Sequence, residues 1–531
     1  MTTFTSKNMV FSRREFNELF LQFLLGTGFY SVVSEYLKIQ PEEKEFKSKI
    51  KQFFEYLDPE IELLIPTYLG NDERRFYGRG VPLGLKVLDK FKLGTGITYV
   101  GKTKKVWSGA GWTGQPSIIK DRGKTYLIIG GYDHFLRKID AATNEEVWRY
   151  KFDDVIKGSS TVYVDKTASE ENRIVILQGS RTGRPKKGIA PSLRAISFRT
   201  GEEIWKLDIK KTRSYSRDND SSALILDGGS IFNAGENGIG YFLNSSTGAT
   251  QIMSGMVQPK ILSEVQLYQT SDIKQHGGNL VAESSPARLG NRIFIAAGSG
   301  HIYGISIEER KIVWDFYTGS DLDGTIAISK EGKLFGAIEK QYIPGNGGAI
   351  KLNPNKPPEE SVEWFLPTGD RKVNSWKGGI IGSIALNDEY NYDEFPLLFA
   401  TNAIDGYLYI GSQNATTGKK VKGPLKKYDY DTPLIVFKQR IGASISTPIF
   451  TDGNKLIAAG YSGVYLFALN WEPASFGDKD ALPNGKGNFY RLIVEETARF
   501  TPGSSFESTP VVWDGIVRIC GRDGWLYSLG G

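Results

Sequence analysis

One cysteine, Cys520, serves a chain of 531 residues. A lone thiol excludes any intramolecular disulfide and leaves a cysteine-based zinc centre short of ligands. It closes the apolar run Ile516 to Cys520, which predicts a buried and inert thiol. Histidine is nearly as scarce, with His134, His276 and His301 only. A two-histidine metal site needs further ligands close by, so His134 and His301 are read as surface-turn residues. Charge of one sign is also missing. Lys and Arg number 66 against 60 Asp and Glu, both interspersed, so no nucleic-acid footprint is expected. The longest basic tract, Lys419, Lys420, Lys422, Lys426 and Lys427, is broken by Gly423 and Pro424 and reads as a solvated loop. No Gly-rich phosphate loop, His-Glu-x-x-His helix or nucleophile elbow occurs. No catalytic residue, metal ligand or cofactor is therefore assigned.

Glycine is abundant instead, at 61 residues without a triplet period, beside 12% aromatics. From about residue 97, short runs of Val, Ile, Tyr and Phe alternate with Gly-rich turns, an all-β signal. One hairpin recurs. Its copies are 127–139, 231–243, 293–305, 398–410, 456–469 and 517–529, with diverged copies at 174–196 and 333–352. Two strands flank a turn that needs positive φ, which Asn-Gly, Asp-Gly and Ser-Gly supply at little cost. Gly238, Gly300, Gly406, Gly463 and Gly524 mark that point, and the double interval between Gly300 and Gly406 hides a weak copy. His134 stands where the other copies have Gly, so a different turn is expected there. Asp133, Asp405 and Asp523 are explained by turn chemistry.

Two further elements keep phase with the hairpin. An outer strand carrying Trp follows it, at Trp148, Trp205, Trp314 and Trp364. Small residues precede it, as in Gly114-Gln115-Pro116, Gly158-Ser159-Ser160, Ser284-Ser285-Pro286, Ser446-Thr447-Pro448 and Ser508-Thr509-Pro510. They suit inner strands crowded around an axis. Four strands in each unit make a propeller blade, whose apolar faces must stack on their neighbours. Each Trp should fill space between blades and direct its indole N–H to a backbone acceptor. The reading is an eight-bladed β-propeller over 97–531, seven being the fallback. The blades are placed at 114–152, 158–209, 221–256, 283–319, 322–369, 378–442, 445–500 and 506–531. The last lacks an outer strand, and 98–107, ending in Val106-Trp107, is expected to supply it. Residues 254–282 are read as an inter-blade insertion.

Ahead of the propeller, 1–34 reads as an export signal or an amphipathic helix, and 35–96 as a charged helical segment and linker. Ser12-Arg13-Arg14-Glu15-Phe16 before the apolar stretch Leu19–Val33 is similar to a twin-arginine signal. It points to the periplasm or extracellular space, the cytoplasm being the alternative. Gly26 and Gly28 interrupt the apolar stretch, so no membrane span is expected, and residues 16–33 offer at most a peripheral contact.

Thr200-Gly201-x-x-x-Trp205, with the hairpin that precedes it, resembles the quinoprotein (PQQ-type) propeller superfamily, and Thr143, Trp148, Trp314 and Trp364 match in part. That resemblance implies the propeller fold. Its dehydrogenase members carry pyrroloquinoline quinone and calcium under a vicinal disulfide, a feature one cysteine cannot form. Other members bind no cofactor, such as the propeller lipoprotein of the outer-membrane assembly machinery. The function expected is a non-enzymatic binding or scaffold propeller of the cell envelope. The alternatives are a PQQ-dependent dehydrogenase-like enzyme and a polysaccharide-binding propeller. Propellers commonly bind protein, small-molecule or saccharide ligands at an axial face. Topology then nominates Trp112 and Gln115 entering the first inner strand, Arg217 and Asp218, with Asp220, before Ser221, and Trp376 with Lys377. His276 joins them from the long insertion, because loops on rigid scaffolds carry function.

Overall fold

The computed structural model describes residues 60–183, 188–392 and 394–531. The propeller is the compact unit Ile61–Gly531. The expected export signal or helix at 1–34, and residues 35–59 of the charged segment, lie outside the described residues.

Eight antiparallel sheets, each with four blade strands, form the blades. In blade 1 the order from inside outwards is Ser117–Asp121, Lys124–Gly130, Phe135–Asp140 and Glu146–Lys151. The expected hairpin is the middle pair of every blade. Its turn residues take positive φ, 72° at Gly238, 92° at Gly300 and 89° at Gly524. His134 does not change the turn, as had been expected. It adopts the same left-handed conformation, φ 74°, and its Nε2 lies 2.9 Å from the Ile97 carbonyl oxygen. His301 is no surface residue either. It is 3% exposed, stacked on Tyr303, with Nδ1 2.6 Å from Asp315 Oδ1 and Nε2 3.3 Å from Asp272 Oδ2.

Apolar faces stack from blade to blade, as one-blade units must. Ile174, Ile176 and Phe198 of blade 2 pack on Ile128 and Phe152 of blade 1, for example. The outer-strand tryptophans bridge neighbours. Trp148 donates to the Phe198 carbonyl at 2.9 Å, Trp314 to Lys356 at 3.0 Å, and Trp364 to Gln413 at 2.9 Å.

Three expectations about the chain path need correction. The ring is closed by Lys86–Lys92, which pairs antiparallel with Trp525–Gly530, and not by 98–107. Residues Thr95–Val100 and Thr103–Ser108 form a separate hairpin, and Trp107 packs 5.1 Å from Tyr132. The true closing strand is exposed along almost its whole length, so its Lys-rich sequence carries no alternation to betray it. Second, the outer strand of blade 3 is Ile261–Gln266, inside the supposed insertion, after an extra hairpin Thr250–Met253 and Met256–Pro259. Third, the described part of 35–96, read as linker, forms strands.

That third segment does something the sequence did not disclose. Ile61–Ile65 pairs with the inner strand of blade 1, and Gly78–Arg79 runs parallel to the inner strand of blade 8. Between them the chain crosses the channel and bonds to the other blades in turn. Val162 donates to the Pro66 carbonyl, Arg288 to that of Asp72, and Ile328 to that of Glu73. Tyr77 accepts from the Leu386 N–H, and Thr451 donates to the Gly80 carbonyl. Arg74, with no exposed surface, spends all five N–H donors on Pro286, Thr67, Tyr68, Ser222 and Ala223. Residues 61–80 are a plug that seals one end of the channel. No helix among the described residues is long and apolar enough to cross a membrane.

Candidate functional site: the unplugged mouth of the channel

Above the plug lies a ring of side chains, one from each blade: Gln115, Ser159, Ser222, Ser285, Thr325, Ser383, Thr447 and Thr509. All are 4% exposed or less. The small residues before each hairpin form this ring. The Gln115 N–H donates to Ser159 Oγ at 2.8 Å, Ser222 to Ser285 at 3.0 Å, Ser285 to Thr325 at 2.9 Å and Thr325 to Ser383 at 3.0 Å. Ser383 donates to Thr447 at 2.8 Å and Thr447 to Thr509 at 3.3 Å, while the Thr509 hydroxyl returns to the Trp112 carbonyl. From the plug side, the Tyr68 hydroxyl reaches Thr447 and Thr509, and the Leu69 N–H donates to Gln115 Oε1.

Two residues before each ring position the chain stands at the opposite mouth. Those eight positions are Thr113, Lys157, Asp220, Glu283, Asp323, Ile381, Ile445 and Glu507. The mouth is thus divided. Blades 3, 4 and 5 present carboxyls, joined by Glu236, Asp321 and Glu339. Blades 6 and 7 present isoleucines, which cluster with Trp112 and Ile404 and carry the half-buried Trp376.

Lys157 stands in the midst of the acidic half. Lys157 Nζ is in direct contact with Asp220, 3.6 Å from Glu236 Oε1 and 3.7 Å from Glu283 Oε2. Ligand oxygens of these three carboxyls lie within 4.8 Å of one another. Burial pushes Asp220, Glu236 and Glu283 above the usual carboxyl range, their mutual repulsion adds to it, and Lys157 partly offsets both. Burial opposes the charge on Lys157, yet Asp220, Glu283 and Glu236 hold it well above the ordinary lysine value. Asp321 and Asp323 are likewise raised, by burial first and then by neighbouring carboxyls. Glu339 is pushed up to about 9 by burial, Asp323 and Glu283, with Lys377 pulling the other way. Asn279 steadies the far side, donating to Asp321 Oδ2 at 2.6 Å.

The residues nominated from sequence fall in several places. Trp112 and Trp376 meet in the apolar half. Lys377 is exposed and acts on Glu339. Asp218 is buried beside the acidic half, accepting from Arg181 Nε at 2.7 Å and from Thr182. Gln115 belongs to the ring. Its amide donates to the Pro510 carbonyl at 2.8 Å, so it braces the plug rather than facing the mouth. Arg217 ties Gly188 and Ile209 carbonyls together, away from the carboxyls. His276 is 1% exposed, its ring 4.7 Å from Tyr342, on the loop that delivers Asn279. Burial lowers its pKa, partly offset by Asp272.

Sequence reasoning missed Lys157, Glu236, Glu283, Asp321, Asp323 and Glu339. For Lys157, Glu283 and Asp323 the signal was the position two before each small ring residue, where charged residues replace isoleucine on successive blades; Glu236 and Glu339, each just after the first strand of its hairpin, carried no such mark. Cys520 is buried as expected, its thiol pushed up to about 12 by burial.

Pyrroloquinoline quinone is itself a polycarboxylate, so without a bridging calcium ion the carboxyls of this mouth would repel it.

No family model matches this sequence, and no curated protein does. Among solved structures the chain is similar to BamB from Moraxella catarrhalis, at 14% identity and a TM-score of 0.48, covering 84% of this chain and 98% of that one. It is also similar to the computationally designed Ika8 protein, at 10% identity and a TM-score of 0.43, covering 85% and 100%. The blade count rests on the strand pairing alone.

Proposed function

We propose that this chain is a non-enzymatic binding or scaffold propeller, and that its unplugged mouth holds a Lys- or Arg-bearing segment of a partner protein. One observation carries the reading. The channel is sealed from one side by residues 61–80, while the other side gathers six carboxyls, Asp220, Glu236, Glu283, Asp321, Asp323 and Glu339, beside Lys157. A guest cation offsets the burial and the mutual repulsion that keep their pKa values high, and the Trp112–Trp376 wall takes the guest's aliphatic stem. Glu283 and Asp323 are only partly buried, so a guest reaches them first.

Titration calorimetry of the full chain with pentaarginine tests this, with pentaglutamate as control. Pentaarginine is expected to bind, and Glu283→Gln or Asp323→Asn to weaken it roughly fivefold or more. A cation favours the ionised cluster. Binding therefore tightens as pH rises from the ordinary carboxyl range through about 9, where Glu339 is half ionised. Binding that ignores both substitutions and pH, or no binding, overturns the proposal. The twin-arginine-like Ser12–Phe16 supports a periplasmic or extracellular setting. A reporter fusion to the unaltered segment that stays in the cytoplasm would refute that placement, and export that survives Arg13→Lys and Arg14→Lys substitution would refute the twin-arginine route.

A further inference from the structure

Blade 6 carries an arm. Its outer strands, Tyr407–Lys422 and Asp429–Arg440, run far beyond the blade and end in the turn Gly423–Tyr428. The lysines expected in a solvated loop lie along this arm. Lys422 pairs with Asp429 and Lys420 with Asp431 across it, while Lys426 and Lys427 sit in the turn. The turn folds back on blades 4 and 5. The Gly345 N–H donates to the Pro424 carbonyl at 2.9 Å, and a Cβ added at Gly319 would lie 2.7 Å from Leu425. The turn is therefore held in place.

Beneath it is a groove of about 270 Å³. Its floor is Asp315–Thr318, the end of blade 4's outer strand, whose outward edge has no strand partner among the described residues. One wall is Pro358 and Glu359 of a short 3₁₀ turn, the other Pro424, Leu425, Tyr428 and Tyr430. Tyr428 is 48% exposed, Leu425 38% and Tyr317 36%, so apolar and aromatic surface is gathered here in contact with solvent. Charge is sorted by wall. Glu359 makes no ion pair among the described residues, and Lys427 on the opposite wall lies over the Tyr428 ring.

We propose that this groove docks an extended, proline-containing segment of a partner protein, with a basic side chain toward Glu359. Tyrosine faces and proline rings make the flat apolar slots that suit a polyproline II ligand. Such a ligand is already extended and loses little entropy on binding. The free strand edge below offers it backbone hydrogen bonds. The Glu359 and Lys427 walls give the ligand a direction. This surface is separate from the channel mouth, and no residue is shared between them.

The test uses the full chain and fluorescent dodecapeptides of the form Arg-x-x-Pro-x-x-Pro, with proline-to-alanine and Arg-to-Glu versions, read by anisotropy. Binding of the first form is expected at micromolar to submillimolar concentration, lost in the alanine version and weakened in the Glu version. Tyr428→Ala should weaken it about tenfold or more, and Glu359→Lys should reverse the flank preference. Both sites are on the surface, and a thermal melt confirms folding. No binding of any proline form to about 1 mM overturns the proposal, as does binding indifferent to Tyr428→Ala. Maltohexaose and cellohexaose run in parallel. Sugar binding sensitive to Tyr428→Ala, without peptide binding, would assign the groove to saccharide instead.

Discussion

Arg74 shows how much one side chain can organise. It has no exposed surface and makes hydrogen bonds to blades 3 and 4 and to its own segment. Burial lowers its pKa to about 10, Asp72 offsetting part of the effect, so it stays charged at neutral pH. Removing it leaves several buried carbonyls without donors, each a cost of about 1–3 kcal/mol. Arg74→Ala is therefore expected to destabilise the propeller by about 3 kcal/mol or more in urea unfolding. Arg74→Lys should recover little, because an ammonium brings three donors on a different geometry. A Lys variant as stable as the parent would show that charge, not the fork of donors, matters. Nothing local in the sequence marks this arginine. Its five acceptors come from residues as distant as Pro286, and an Arg beside Arg75 reads as surface charge.

At the level of strands and turns, legibility follows burial. The middle hairpins declared themselves because both strands are buried and their turns demand left-handed residues. Even His134, which breaks the glycine rule, keeps the shape, at the strain cost of a side chain at positive φ. Outer strands were legible where a Trp bridges to the next blade. They were not where solvent bathes both faces, as along Lys86–Lys92, so a decoy ending in Trp107 took its place. The ring of small residues was visible as a repeat, but its chemistry was not. Ser222 Oγ donates to the Ser159 carbonyl, but the other hydroxyls each accept from the adjoining blade, and Thr447→Val tests this. It orphans the Ser383 N–H and one Tyr68 contact, and should cost about 1–3 kcal/mol, measured by urea unfolding. Thr447→Ser should be nearly neutral, since the oxygen is kept. Equal losses in both would argue that the methyl, not the hydroxyl, holds the ring. The acidic mouth escaped for the same reason. Asp220, Glu283 and Asp323 lie 40 to 63 positions apart in sequence, and only the closed ring sets them side by side.

For the molecule as a whole, one stretch near the start of the propeller does two tasks: residues 61–80 stopper the channel and Lys86–Lys92 completes blade 8. A chain beginning at Leu93 loses both. It should expose the edge of Trp525–Gly530 and the inner strands together, and unpaired edges invite association. Size-exclusion chromatography is expected to show aggregates or an expanded species. A compact monomer would mean that the seven complete blades and the open eighth are self-sufficient. The same layout has a consequence for how the protein is made. Ribosomes deliver Lys86–Lys92 before the blades and its partner Trp525–Gly530 only after seven of them. Those blades can be threaded, yet the circle stays unlatched until that partner emerges. During that wait, the charges of Lys86, Asp89, Lys90 and Lys92 along the stretch disfavour its pairing with another chain. The charged face that disguised the closing strand thus keeps it soluble while it waits.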